Sequence, residues 1–143
     1  MAITKHGSAV WKGGIKDGSG TISTETGALD AHPYGFASRF ESGKGSNPEE
    51  LIAAAHAACF SMALSLMLTQ EGMAPEELDT SAAVTIEQQG EGFTITSSRL
   101  TLKAKVPGID EAKFQEIAGK AKEGCPVSKL LNAEVTLEAS LVG

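Results

Sequence analysis

Two thiols, one guanidinium and one carboxylate are the side chains in this sequence whose types and placement could do redox chemistry. Cys59 and Cys125 are the only cysteines among 143 residues. Cys59 falls within residues 51–68, an almost uncharged helical run, where a thiol ordinarily behaves as a small inert hydrophobe. Cys125 falls on a Gly-Cys-Pro corner ahead of another helical segment. That corner is expected to aim its sulfur at a helix N-terminus, where a thiolate is favoured. One concealed thiol and one mobile thiol form a candidate redox pair. Such chemistry also needs a cation to hold the thiolate, because burial alone raises a thiol's pKa. Arg39 is the candidate: it sits among Tyr34, Phe36 and Phe40, and a guanidinium stays charged whatever its burial. An arginine in that role needs a carboxylate to hold it. Glu50 occupies a capping position, which leaves Glu49 the freer acid. Glu49 and Cys59 are ten positions apart, roughly 15 Å of helical rise, so Glu49 can serve the thiol only through Arg39 or across a subunit interface.

The elements that must position these groups are readable in outline. Short alternating stretches at residues 8–12, 20–24 and 27–30, with turns at Gly13-Gly14 and Asp17-Gly18, predict an antiparallel meander. Residues 30–45 read as an irregular segment, which in a compact domain is often functional. Asn47 as cap, Pro48 at the first helical position and Glu50 three residues after the cap predict a helix start, and Gly72 its end. The interior of that helix carries no charge and is apolar on nearly every side, which predicts burial all round. Its length would suit a membrane span, but His56, two serines and alanine-rich composition favour the central helix of a soluble protein. Residues 80–89 and 93–106 alternate as strands. The apolar phase slips at Ser97-Ser98, predicting a bulge. Asp110 caps a helix over residues 111–123, residues 126–131 form a short helical segment, and residues 133–141 alternate as a last strand. The whole is expected to be one α+β domain over residues 1–143, with antiparallel sheets around a long buried central helix.

Composition excludes several function classes. The net charge is −6 with no cluster of Lys and Arg, which argues against a nucleic-acid or anionic-membrane partner. The first residues lack an apolar secretory core, so a cytoplasmic location is expected. In that compartment a transient catalytic disulfide is favoured over a permanent staple. The cysteines and three histidines lack metal-ligand spacing, and no cofactor motif is present.

Three stretches together resemble the OsmC/Ohr family, most closely its osmotically inducible branch. They are Asn-Pro-Glu-Glu-Leu-Ile-Ala-Ala-Ala-His-Ala-Ala-Cys-Phe-Ser-Met-Ala-Leu at 47–64, Tyr-Gly-Phe-Ala-Ser-Arg-Phe at 34–40, and Ala-Lys-Glu-Gly-Cys-Pro-Val-Ser at 121–128. The resemblance implies an intertwined α+β homodimer with its long central helices packed together and two active sites at the interface. It implies a thiol-dependent peroxidase that prefers organic hydroperoxides to hydrogen peroxide. On this reading Cys59 is the peroxidatic and Cys125 the resolving cysteine, while Arg39 and Glu49 form the polar pair holding thiolate and peroxide. Cys59 would pass through a sulfenic acid to a Cys59–Cys125 disulfide, reopened by an external dithiol of lipoyl-protein type. Phe36, Phe60, Met62 and Met73 are candidates for lining an apolar substrate pocket. His56, three residues before Cys59, is read as structural, at an interface. The rival reading is a redox sensor or binding module that uses the same disulfide without turnover.

Overall fold

A computed structural model describes all residues, 1–143. The chain forms two compact units, Met1–Leu51 and Ile52–Gly143.

The first unit is a three-stranded antiparallel sheet of β1 (Gly7–Lys12), β2 (Ser19–Thr24) and β3 (His32–Tyr34), in that order, followed by the short helix α1 (Phe36–Phe40). Residues 27–30, expected as the third strand, are a loop. Gly27 takes φ 81° and Ala31 φ 50°, left-handed values that turn the chain, and the backbone of Thr24 bonds to Leu29 across the bend. The third strand instead lies inside the stretch expected to be irregular. Trp11 and Tyr34 meet edge-on with centroids 5.5 Å apart, over Gly20. A Cβ there would lie 2.5 Å from the Tyr34 ring and 2.6 Å from the Trp11 ring, so only glycine lets the two rings close over the strand. No hydrophobic side chain of this unit is fully buried.

The long helix α2 (Pro48–Gln70) begins where expected: the Asn47 side chain accepts from the Glu50 backbone N–H at 2.8 Å. The reciprocal half of a capping box is replaced, because the Glu50 carboxylate accepts from the Ser46 hydroxyl.

The second unit is a two-layer α/β arrangement. Its sheet runs β4 (Glu77–Gln89), β5 (Gly92–Lys105), β6 (Glu134–Leu141), and α3 (Glu111–Gly124) with the short α4 (Pro126–Leu130) connects β5 to β6. β4 and β5 form a long antiparallel hairpin with Thr96 unpaired between Ile95 and Ser97, so the bulge sits beside the predicted position. β6 pairs parallel to β5, a correction to the all-antiparallel expectation. The physical reason is the α3–α4 crossover, which returns the chain to the end of the sheet from which β5 started. Phe60, Leu64 and Leu68 of α2 pack with Leu100, Leu102 and Ala104 of β5 and Phe114, Ile117, Ala118 and Ala121 of α3 as one core.

The expectation that α2 is buried on all sides is also corrected. Only 22% of its most apolar 18-residue window is buried. The residues four apart from His56 (Phe60, Leu64, Leu68) are wholly enclosed, while Ala54, Ala58, Met62 and Leu66 on the opposite stripe face outward, Met62 at 76% and Leu66 at 59% exposure. One layer of sheet and one helix can cover one side of a helix; the other side is left bare.

Candidate active site

Arg39 and Glu49 are the two candidate polar residues of the first unit. Arg39 is the fourth residue of α1, and Glu49 is the second residue of α2. Ser38 ties the two segments together: its hydroxyl donates to the Ser46 carbonyl at 2.7 Å, and its carbonyl accepts from Asn47 Nδ2 at 2.9 Å. With the backbone so fixed, Arg39 Nε donates to Glu49 Oε1 and Nη2 to Glu49 Oε2, both at 3.0 Å. This two-pronged fork is the strong geometry for a guanidinium and a carboxylate. The Glu49 side chain is 9% exposed and that of Arg39 35%, so the carboxylate anchors a cation that still reaches the surface. The Arg39 guanidinium also lies 5.2 Å from the Phe40 ring centre.

That cation lines an aromatic basin. Trp11, Ile15, Tyr34, Phe36, Arg39 and Phe40 surround a cavity of about 210 Å³ within the first unit. Of the four side chains proposed from sequence as pocket lining, Phe36 is there. Phe60 is fully buried in the core of the second unit, Met73 packs against that core, and Met62 stands exposed on the bare face of α2. Trp11 and Ile15 are not evident from sequence as lining, because β1 and the turn after it bring them in and no local pattern shows that.

The two candidate thiols both lie in the second unit. Cys59 and Cys125 are free, and their sulfurs interact directly. Their burial is the reverse of the sequence expectation. Cys125 is wholly enclosed (0%), because it continues the inward stripe of α3 one turn past Ala121. Cys59 is half-exposed, lying one step off the buried stripe of α2. The short α4 was expected to present its first N–H groups to Cys125. Only the Val127 N–H is turned to a thiol, and that thiol is Cys59: Cys125 makes no cap bond to α4. Burial pushes the Cys59 pKa up, the Val127 bond pulls it down, and the adjacent Cys125 thiol raises it further, with a net upward shift. No cationic side chain of the second unit contributes to this shift.

His56 was read as structural, and its partners were not foreseen. The ring is fully buried, with Nδ1 2.6 Å from Ser98 Oγ of β5 and Nε2 2.8 Å from Ser128 Oγ of α4. Burial lowers its pKa, favouring the neutral ring. Both nitrogens are occupied, so His56 is not placed to act as base toward Cys59 despite their spacing. The signal that could have found it was present: a histidine on the same four-residue stripe as three core hydrophobes must find buried partners.

The profile of the OsmC family, described as OsmC-like protein, matches residues 41–140. The peroxiredoxin OsmC of Escherichia coli (strain K12) is 56% identical over 141 residues, covering 99% of each chain. The organic hydroperoxide resistance protein of Xanthomonas axonopodis pv. citri is 39% identical over 98 residues, covering 66% of this chain and 67% of its own. Among solved structures, the organic hydroperoxide resistance protein OhrB of Bacillus subtilis superposes with a TM-score of 0.67 at 26% identity, covering 96% of this chain and 98% of its own. With its profile match spanning both thiols and the Glu49 position, and its mixed α+β architecture shared with that solved structure, this chain belongs to the OsmC-like protein family.

Proposed function

We propose that this chain is a thiol-dependent peroxidase that reduces organic hydroperoxides to alcohols in the cytoplasm. The observation that carries the reading is the direct contact of Cys59 with Cys125. A peroxidase of this kind is supported by the likeness to a peroxiredoxin over nearly the whole chain.

In this mechanism the Cys59 thiolate attacks one peroxide oxygen. The O–O bond breaks, the alkoxide leaves and takes a proton as the alcohol, and Cys59 is left as a sulfenic acid. The Cys125 sulfur then displaces the hydroxyl: an S–S bond forms, the S–O bond breaks, and the Cys125 proton leaves with the hydroxide as water. An external dithiol, of the kind carried by a lipoylated protein, takes up the disulfide by exchange and restores both thiols. Arg39 supplies the positive charge that Cys59 lacks among its own neighbours, and Glu49 fixes the guanidinium. The aromatic basin beside Arg39 favours an alkyl hydroperoxide over hydrogen peroxide, because only the former has apolar surface to bury there. The catalytic form is a homodimer, for which the bare stripe of α2 argues.

The test is consumption of cumene hydroperoxide and hydrogen peroxide by wild type and Cys59→Ser with a dithiol present. Rapid turnover of the organic peroxide, slower turnover of hydrogen peroxide, and loss of both in Cys59→Ser are expected. Oxidation to a disulfide without turnover would favour a redox sensor instead.

A further inference from the structure

α4 packs against the core through Val127 alone among its residues. It has five residues, and none is buried. It follows directly on Cys125, and its Val127 N–H reaches the Cys59 sulfur. That contact is lost in kind as soon as Cys59 is oxidised, since the acceptor is then a sulfenic acid. One other side-chain hydrogen bond ties α4 to the rest of the unit, from Ser128 to His56. His56 lies one turn before Cys59 on α2, and Ser128 three residues after Cys125, so the bond joins the two segments that carry the sulfurs. The far side of the ring is fastened to Ser98, fully buried on β5, the middle strand of the sheet. A neutral imidazole has one donor and one acceptor, and two hydroxyls satisfy both. No buried side-chain polar atom here is without a partner, so the bridge is complete.

We propose that the Ser98–His56–Ser128 bridge is a positioning device for the second thiol, holding α4 and with it Cys125 against Cys59 while Cys59 is oxidised. The inference rests on the peroxidase reading, and it adds a function for three residues that touch neither peroxide nor reductant. The device governs the race between disulfide closure and a second oxidation. With α4 fixed, Cys125 closes on the sulfenic acid and water leaves. With α4 loose, a second hydroperoxide reaches the same sulfur: the sulfur gains an oxygen to become a sulfinic acid, and the peroxide is reduced to alcohol.

The experiment follows Ser128→Ala, Ser128→Thr and wild type by intact-protein mass spectrometry after one and after ten equivalents of cumene hydroperoxide, without reductant. In Ser128→Ala, formation of the sulfenic acid is expected to proceed as in wild type, while disulfide closure slows about tenfold because the attacking group is no longer held in place. Sulfinic acid then accumulates at ten equivalents, and Ser128→Thr, which keeps the hydroxyl, restores closure. A purely structural role predicts something different: a lower melting temperature with both steps slowed together and no excess sulfinic acid. That outcome, or disulfide closure in Ser128→Ala at the wild-type rate, overturns the proposal. Should wild type itself form no Cys59–Cys125 disulfide, the peroxidase reading fails first, and it fails in a sample that carries no substitution.

Discussion

The two cysteines have different surroundings. Cys59 is half-exposed and accepts a backbone N–H, whereas Cys125 is sealed in the core. The Cys59 pKa is raised mainly by burial, so its thiolate is scarce at neutral pH unless a cation is brought to it. If Arg39 is that cation, Arg39→Ala moves the inflection of thiol alkylation to higher pH and slows peroxide consumption at pH 7 by about 10²-fold. Glu49→Gln, which leaves the guanidinium but loosens it, costs less. A pH–alkylation profile of Cys125→Ser with and without Arg39→Ala, reading Cys59 alone, checks the shift; superimposable profiles would remove Arg39 from the mechanism. At this scale the sequence carried the cysteines and the Arg39–Glu49 pairing, since residue type and a free first-turn acid point to them. It did not carry the order of burial. Which thiol is enclosed depends on one step of helical phase, and on α3 continuing its inward stripe to Cys125.

Elements show the same division between local and distant information. The start of α2, the α3 cap at Asp110 and the β5 bulge were legible because each is written within a few residues. The parallel pairing of β6 was not, because it depends on where a crossover returns the chain. The uniform apolarity of α2 also hid its two unlike faces, since a helix with no polar side has no phase to read. Substitution separates the faces. Leu64→Ala, on the enclosed stripe, is expected to destabilise the chain by about 2–5 kcal/mol through lost burial and a cavity. Met62→Ala, two positions away on the bare stripe, should leave the fold of the chain intact. Urea denaturation of the two variants checks the contrast; equal losses would mean that the two faces are buried alike within one chain.

For the whole molecule, the exposed apolar surface is the fact to account for. The first unit has no fully buried hydrophobic residue, and α2 carries an outward stripe of Ala54, Ala58, Met62 and Leu66. Soluble chains rarely leave a contiguous apolar stripe of this kind uncovered. A second copy of this chain presents the same stripe, and a twofold axis would set like against like. Wild type is therefore expected to run as a dimer in light scattering. Met62→Glu, placing a charge at the centre of the stripe, should shift it to monomer while circular dichroism keeps its helical signal. A wild-type monomer that turns over organic hydroperoxide would show that the stripe has another use.

If Cys59 and Cys125 are partners in one redox cycle, one oxidation event must consume both thiols. The most direct measurement is thiol titration and peptide mapping after a single equivalent of cumene hydroperoxide. The predicted result is loss of both free thiols, a Cys59–Cys125 linked peptide pair within one chain, and return of both thiols on adding a dithiol. Consumption of the peroxide with Cys125 still free to alkylate, and Cys59 alone oxidised, would contradict it.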